Sequence, residues 1–417
     1  MTRVSAAALD APAVPRTGLV SQAAAFYLLA SITMSFLAGS SAPTPLYPLY
    51  QAQWGFSPVT VTVVFGIYAL ALLAALLVAG RLSDHVGRRP VLIAATAMQA
   101  ATMLVFASAD GVSGLLFARI VQGLSTGAAI AAVGAGMLDL DKARGAVANA
   151  VAPPLGTAFG ALAGGVMVHT LPAPTQMVYL VFAVVFVLQG LGVWLMAETN
   201  TPRPGAWASL TPRFSLPFAT RRPMLLAVPV LVAAWALAGF YASLGPGLVH
   251  GVFGLDSSLL GGVALFVLAG SGAASVLWVH GRSPSTTMSF GAAALLAGVA
   301  VIGVSLATHA AALYFVGTAI AGTGFGAGFQ GAVRSVVAFA TPRESAGVLS
   351  IVFVVSYLAM GVPAVGAGWL VAHGGNILRT GELFATVVMA LAALALLGAM
   401  LRRSGRPASS GARPAGA

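Results

Sequence analysis

Three groups of residues in this chain have types and spacings that could do chemistry. Asp84 stands four residues before Arg88 and five before Arg89, in a short polar stretch between two apolar ones. A carboxylate and a guanidinium at that interval can make a charge-assisted hydrogen bond, and a change of shape can break it. Arg119 and Gln122 lie three residues apart inside a long apolar run. A cation there must be satisfied by polar neighbours, and its cost makes it a functional hypothesis. Gly156, Gly160 and Gly164 recur every fourth residue after Pro153-Pro154, with Gly165 next. Small residues at that interval let helices meet backbone to backbone, and prolines bend a helix.

What the chain lacks is equally informative. It has no cysteine, so disulfides, thiolate metal sites and cysteine nucleophiles are excluded. No metal-ligand cluster, phosphate-cradling loop or Ser/His/Asp set is present, so an enzyme or primary pump is not expected and no cofactor is implied. None of the nine acidic residues falls deep in an apolar run. An intramembrane carboxylate is the usual proton carrier.

The elements that must position these residues follow from composition. Of 417 residues, 59% are hydrophobic and 7% charged. So little charge suits only a surface facing lipid. A crossing helix needs about 20 apolar residues, and such runs lie at roughly 22–46, 59–80, 90–109, 112–138, 146–169 and 177–197. A second set lies at roughly 224–249, 258–280, 287–307, 311–336, 345–372 and 383–401 by the same criterion. The chain therefore reads as an all-α integral membrane protein of twelve transmembrane helices in two six-helix bundles. Its organisation reads as a tail 1–21, a first half 22–197, a linker 198–223, a second half 224–401 and a tail 402–417. Offsetting the sequence by about 200 residues pairs Ala38-Gly39 with Ala238-Gly239, and Gly123 and Gly127 with Gly322 and Gly326, the signature of an internal repeat.

Charge distribution predicts orientation. Of the 20 basic residues, seventeen fall on one side, Arg379 alone on the other, and Arg119 and Arg334 within spans. Positive residues favour the cytoplasm, so both termini and the 198–223 linker are expected there, in a bacterial cytoplasmic membrane. The net charge of +11 thus reflects topology and contact with anionic lipid, and no nucleic-acid partner is expected.

The stretch Gly80-Arg-Leu82-Ser-Asp84-His-Val-Gly87-Arg88-Arg89-Pro-Val-Leu92 resembles the major facilitator superfamily, whose signature here is G-x-L-a-D-r-x-G-r-k-x-x-l. His85 departs where a basic residue is usual. Gly80 and Gly87 are expected to allow a tight turn, and Asp84 to sit at a helix N-terminus and pair with arginine in a link that breaks as the halves rock apart. Asp139 or Asp141 is expected near Arg88 and Arg89. Arg119, Gln122 and Gly123 are similar to the family's R-x-x-Q-G motif, associated with ion coupling or with holding helices around the cavity. Gly160 to Gly165 is similar to the antiporters' G-P-x-x-G-G motif, with Ala161 at the proline position.

The resemblance implies a substrate cavity lined by the first, fourth, seventh and tenth spans, where Trp235, Tyr241 and Gln330 would lie. It also implies a monomeric secondary transporter of a small organic molecule working by alternating access. Proton-coupled efflux is the first expectation, drawing on the proton gradient. An importer or uniporter of an organic anion or sugar is the alternative. A scaffold or receptor would need a recognition domain for which the tails and linker have no room.

Overall fold

The structure is a computed structural model and describes residues 18–404. The positions expected for Arg3, Arg16, Arg406 and Arg413 lie outside the described residues. The helices are α1 (Gln22–Ser41), α2 (Tyr47–Trp54), α3 (Pro58–Ala79), α4 (Leu82–Val86), α5 (Arg88–Ala107), α6 (Val112–Leu140), α7 (Lys142–Thr170) and α8 (Pro174–Leu195). They continue as α9 (Ala206–Ser209), α10 (Phe218–Phe253), α11 (Ser258–Trp278), α12 (Pro284–Thr308), α13 (Ala311–Val337), α14 (Ser345–Ala372) and α15 (Ile377–Ser404). Twelve segments of the described chain are long and apolar enough to cross a membrane. Every backbone polar group in lipid needs an internal partner, which the helix supplies.

Three spans differ most from expectation, the twelfth beginning early at Ile377. The first helix stops at Ser41, and a 3-10 turn over Thr44–Leu46 precedes α2, so the full segment reaches Trp54. Pro43, Pro45 and Pro48 follow in quick succession, and proline supplies no N–H to a preceding helical turn. The seventh span begins earlier than expected, at Phe218, and α10 runs 36 residues with Pro223, Pro229 and Pro246 inside it.

Glycines set which helices touch. At Gly123 and Gly127 of α6 a Cβ would run into the α3 backbone at Tyr68 and Leu72. At Gly322 and Gly326 of α13 it would run into α11 at Leu268 and Gly272. The pairs matched by the sequence repeat thus make equivalent contacts in the two bundles. Gly123 is therefore a packing contact between α6 and α3.

The bundles meet chiefly through α7 with α11 and α3 with α14. The Thr44 hydroxyl also donates to the Ala242 carbonyl at 3.1 Å. Gly165 abuts Leu259 at the start of α11, and Gly368 abuts Thr62 at the start of α3. These three contacts all lie at the end of the bundle opposite the loop from Gly80 to Arg89, so that far end is closed.

Candidate functional site

The loop after α3 is built around Arg88, which is 6% exposed. Its Nη1 donates to Asp84 Oδ1 at 2.5 Å and to Ser83 Oγ at 2.7 Å, and its Nε to Asp139 Oδ2 at 3.1 Å. One guanidinium thus joins α4 to the end of α6, using the planar fork that suits carboxylates. Asp141 instead faces Arg144, at 3.7 Å, and caps α7 through the Arg144 amide.

Asp84 lies in the first turn of the short helix α4, at a helix N-terminus as expected, and does not cap α5. That place belongs to Glu198, whose two carboxylate oxygens accept from the amides of Arg88 at 2.9 Å and Arg89 at 3.0 Å. The first amides of a helix have no helical acceptor, and a carboxylate there also meets the positive end of the dipole. Gly87 makes room for it: its φ is 102°, and a Cβ would press on the Glu198 carboxylate. Gly80, by contrast, has an ordinary right-handed φ of −58°. Leu82 packs against the first bundle's core, and Arg89 donates to the Trp194 carbonyl.

The Asp84–Arg88 link joins two elements of the same bundle, so in this conformation it does not bridge the halves. Arg81, His85 and Asn200 tie the loop to the segment between the bundles. Arg81 Nη2 donates to the carbonyls of Ser209 at 3.2 Å and Thr211 at 3.1 Å. The His85 ring contacts the Pro204 carbonyl at 3.0 Å, and Asn200 donates to the Asp84 carbonyl at 3.0 Å.

The second site is at the break after α1. Arg119 is 1% exposed, and its Nη1 donates to the Ser40 carbonyl at 2.9 Å and to Gln122 Oε1 at 2.6 Å. Its Nη2 donates to the Tyr47 hydroxyl at 2.6 Å. Gln122 Nε2 donates to the Gly39 carbonyl at 3.1 Å. The faces of Tyr68 and Phe106 both lie 5.5 Å from the guanidinium carbon. Carbonyls and aromatic faces in low dielectric thus hold the cation, which also sits at the negative end of the α1 dipole. No carboxylate touches it among the described residues.

The glycine stripe forms the third feature. A Cβ at Gly156, Gly160 or Gly164 would strike the α1 main chain at Met34, Ala38 or Ala42 respectively. Ser41 Oγ adds a 2.8 Å bond to the Thr157 carbonyl. Gly165 faces the other bundle at α11. Pro153 and Pro154 lie inside α7, which stays continuous.

The residues expected along the cavity separate. Tyr241 is 2% exposed inside the second bundle, with its hydroxyl 2.6 Å from Thr318 Oγ1 and its ring stacked on Tyr314. A group so committed to its own bundle does not line a space between the halves. Trp235, at the middle of α10, and Gln330, in the last third of α13, are partly exposed. Trp235 is surrounded by Phe325, Phe329 and Tyr357, at centroid distances of 6.2, 5.3 and 5.0 Å.

Twelve membrane-length helices thus form two bundles that pack together through α7 with α11 and α3 with α14. The chain belongs to the Major Facilitator Superfamily, which it matches over residues 29–362. Over 186 residues, 40% of the chain, it is 27% identical to the multidrug resistance protein MdtL of Klebsiella pneumoniae (strain 342). That match spans 46% of the relative's length. The fold is similar to that of a bacterial homolog of the human lysosomal transporter Spinster, inward-facing and unoccupied, with a TM-score of 0.73 and 13% identity over 93% of this chain and 99% of that one. It is also similar to the human organic anion transporter TETRAN, with a TM-score of 0.63 and 18% identity over 90% of this chain and 100% of that one. The chain is thus a multi-pass membrane protein of this transporter family.

Proposed function

We propose that the chain exports moderately hydrophobic organic molecules across the bacterial cytoplasmic membrane, driven by the proton gradient. The observation that carries export is the identity with a multidrug resistance protein over 186 residues. The apolar, aromatic character of the Trp235 neighbourhood supports a hydrophobic cargo. Alternating access is supported by a bundle interface closed at the end away from the Gly80–Arg89 loop.

In this reading Asp84, Arg88, Arg89 and Glu198 hold the loop that changes partners as the bundles rock. Arg119 and Gln122 keep α1 broken at a fixed point beside the cavity. Arginine does not deprotonate in proteins, so Arg119 acts electrostatically and the proton travels on another group, water or substrate.

Everted membrane vesicles containing the chain test the proposal. They should accumulate hydrophobic fluorescent compounds from a panel when respiration acidifies their lumen, and a protonophore should abolish the accumulation. Accumulation that a protonophore leaves untouched would overturn proton coupling. Accumulation only in right-side-out vesicles would overturn export in favour of uptake.

A further inference from the structure

Trp235 stands near the middle of α10, a helix packed against α11, α13, α14 and α15 in its own bundle and against α3 of the other. Its side chain stays partly exposed despite those neighbours, as do Phe325 and Phe329 on α13. Tyr357 of α14 closes the cluster and joins the same continuous core as Tyr68 of α3. The cluster therefore borders the meeting of the two bundles at mid-membrane.

Two observations define what it would hold. The Trp235 Nε1–H is buried and makes no hydrogen bond within the chain. An indole N–H can only donate, and a buried donor without a partner is costly, so the site calls for an acceptor. The electrostatics are equally selective. Among the described residues, every acidic side chain lies in a loop or near a helix end, and the one charge deep in a span is the cation Arg119. A cationic ligand would find aromatic faces but no counter-ion, and ring faces alone do not offset the burial of a charge.

We infer that the Trp235 cluster binds planar, conjugated carbonyl compounds without positive charge, the rings stacking among Phe325, Phe329 and Tyr357 while the carbonyl accepts from Trp235 Nε1. This deepens the exporter reading by naming its substrate class. Equilibrium binding to purified protein depends on neither direction nor proton coupling, so failure of the vesicle experiment leaves this inference standing.

Three flat probes test it by titration calorimetry on the full chain in detergent. They are flavone, 2-phenylnaphthalene (similar rings, no acceptor) and ethidium (planar, cationic). Flavone should bind about tenfold more tightly than 2-phenylnaphthalene, the difference expected of one satisfied buried donor, and ethidium more weakly than flavone. Trp235→Phe keeps a ring and deletes the N–H, so it should remove the preference for flavone and leave 2-phenylnaphthalene unchanged. Flavone binding no tighter than the hydrocarbon, ethidium binding tightest, or a Trp235→Phe protein that keeps the flavone preference would each overturn the inference. The probe comparison on the unsubstituted protein decides it even where the variant does not fold.

Discussion

Gln122 donates to the carbonyl of Gly39, the group that loses its helical donor because the residue four positions on is Pro43. Ser40, next along, gives its carbonyl to Arg119. The pair on α6 thus completes the end of α1 from another helix. A side chain reaching over the last carbonyls does what the chain's own N–H groups would do in an unbroken helix. This explains how a cation is kept in the membrane interior without an acid beside it.

Gln122→Leu should therefore destabilise the protein without removing charge. It leaves the Gly39 carbonyl unsatisfied, at a cost of about 1–3 kcal/mol. Thermal unfolding of the purified protein checks this, and an unchanged midpoint would show that α1 ends stably without the amide.

Arg119→Lys and Arg119→Ala separate charge from geometry. Lysine keeps the cation but lacks the fork that reaches Ser40, Tyr47 and Gln122 together, so partial transport should remain. Alanine strands those acceptors and should abolish transport or uncouple it from pH. A folded Arg119→Ala protein with normal, pH-responsive transport would reduce the arginine to packing.

Asp84→Asn should barely alter stability. The Asp84 side chain is 46% exposed, and Arg88 keeps Asp139, so the loss should stay below about 1 kcal/mol. The distribution of the carrier between its two conformations should nevertheless move about tenfold if Asp84 takes a second partner in the other state. Thiol accessibility of cysteines introduced at each end of the bundle measures that shift, and unchanged labelling with normal transport would remove Asp84 from the switch.

Gly160→Leu should block folding, since even a Cβ would strike the Ala38 main chain and Ser41 Oγ. Overpacking of that kind lies at the upper end of about 1–3 kcal/mol. Gly303→Leu on α12 is the matched control, because a Cβ there meets nothing within 4 Å. Membrane-inserted yield should fall for the first and hold for the second.

Orientation is open to a direct test because the chain contains no cysteine. In intact cells a membrane-impermeant maleimide should label Asp110→Cys and spare Ala208→Cys, as the basic residues require. The reverse pattern would invert the topology.

The membrane-spanning nature, the twelve helices and the family were legible in the sequence. Lipid allows essentially one solution to a run of some twenty apolar residues, and the Gly80–Leu92 spacing is read along a single stretch of chain. The Asp84–Arg88 pair was legible for the same reason, being one helical turn apart. The sequence also held a clue to the α1 break, since Pro43 and Pro45 remove the donors for Gly39 and Ser41, yet nothing local indicates that Arg119 and Gln122 supply the replacement.

Contacts between distant elements belong to the tertiary structure. Glu198 sits 110 residues from the Arg88 amide it caps, and only the packing of α8 beside α5 brings them together. The burial of Tyr241 and the partial exposure of Trp235 were likewise undecided by residue type. In a chain where both lipid and core are apolar, hydrophobicity cannot say which way a helix face points. That choice follows from where glycines let backbones meet: the stripe from Gly156 to Gly164 seats α7 on α1, and the pair Gly322 and Gly326 seats α13 on α11.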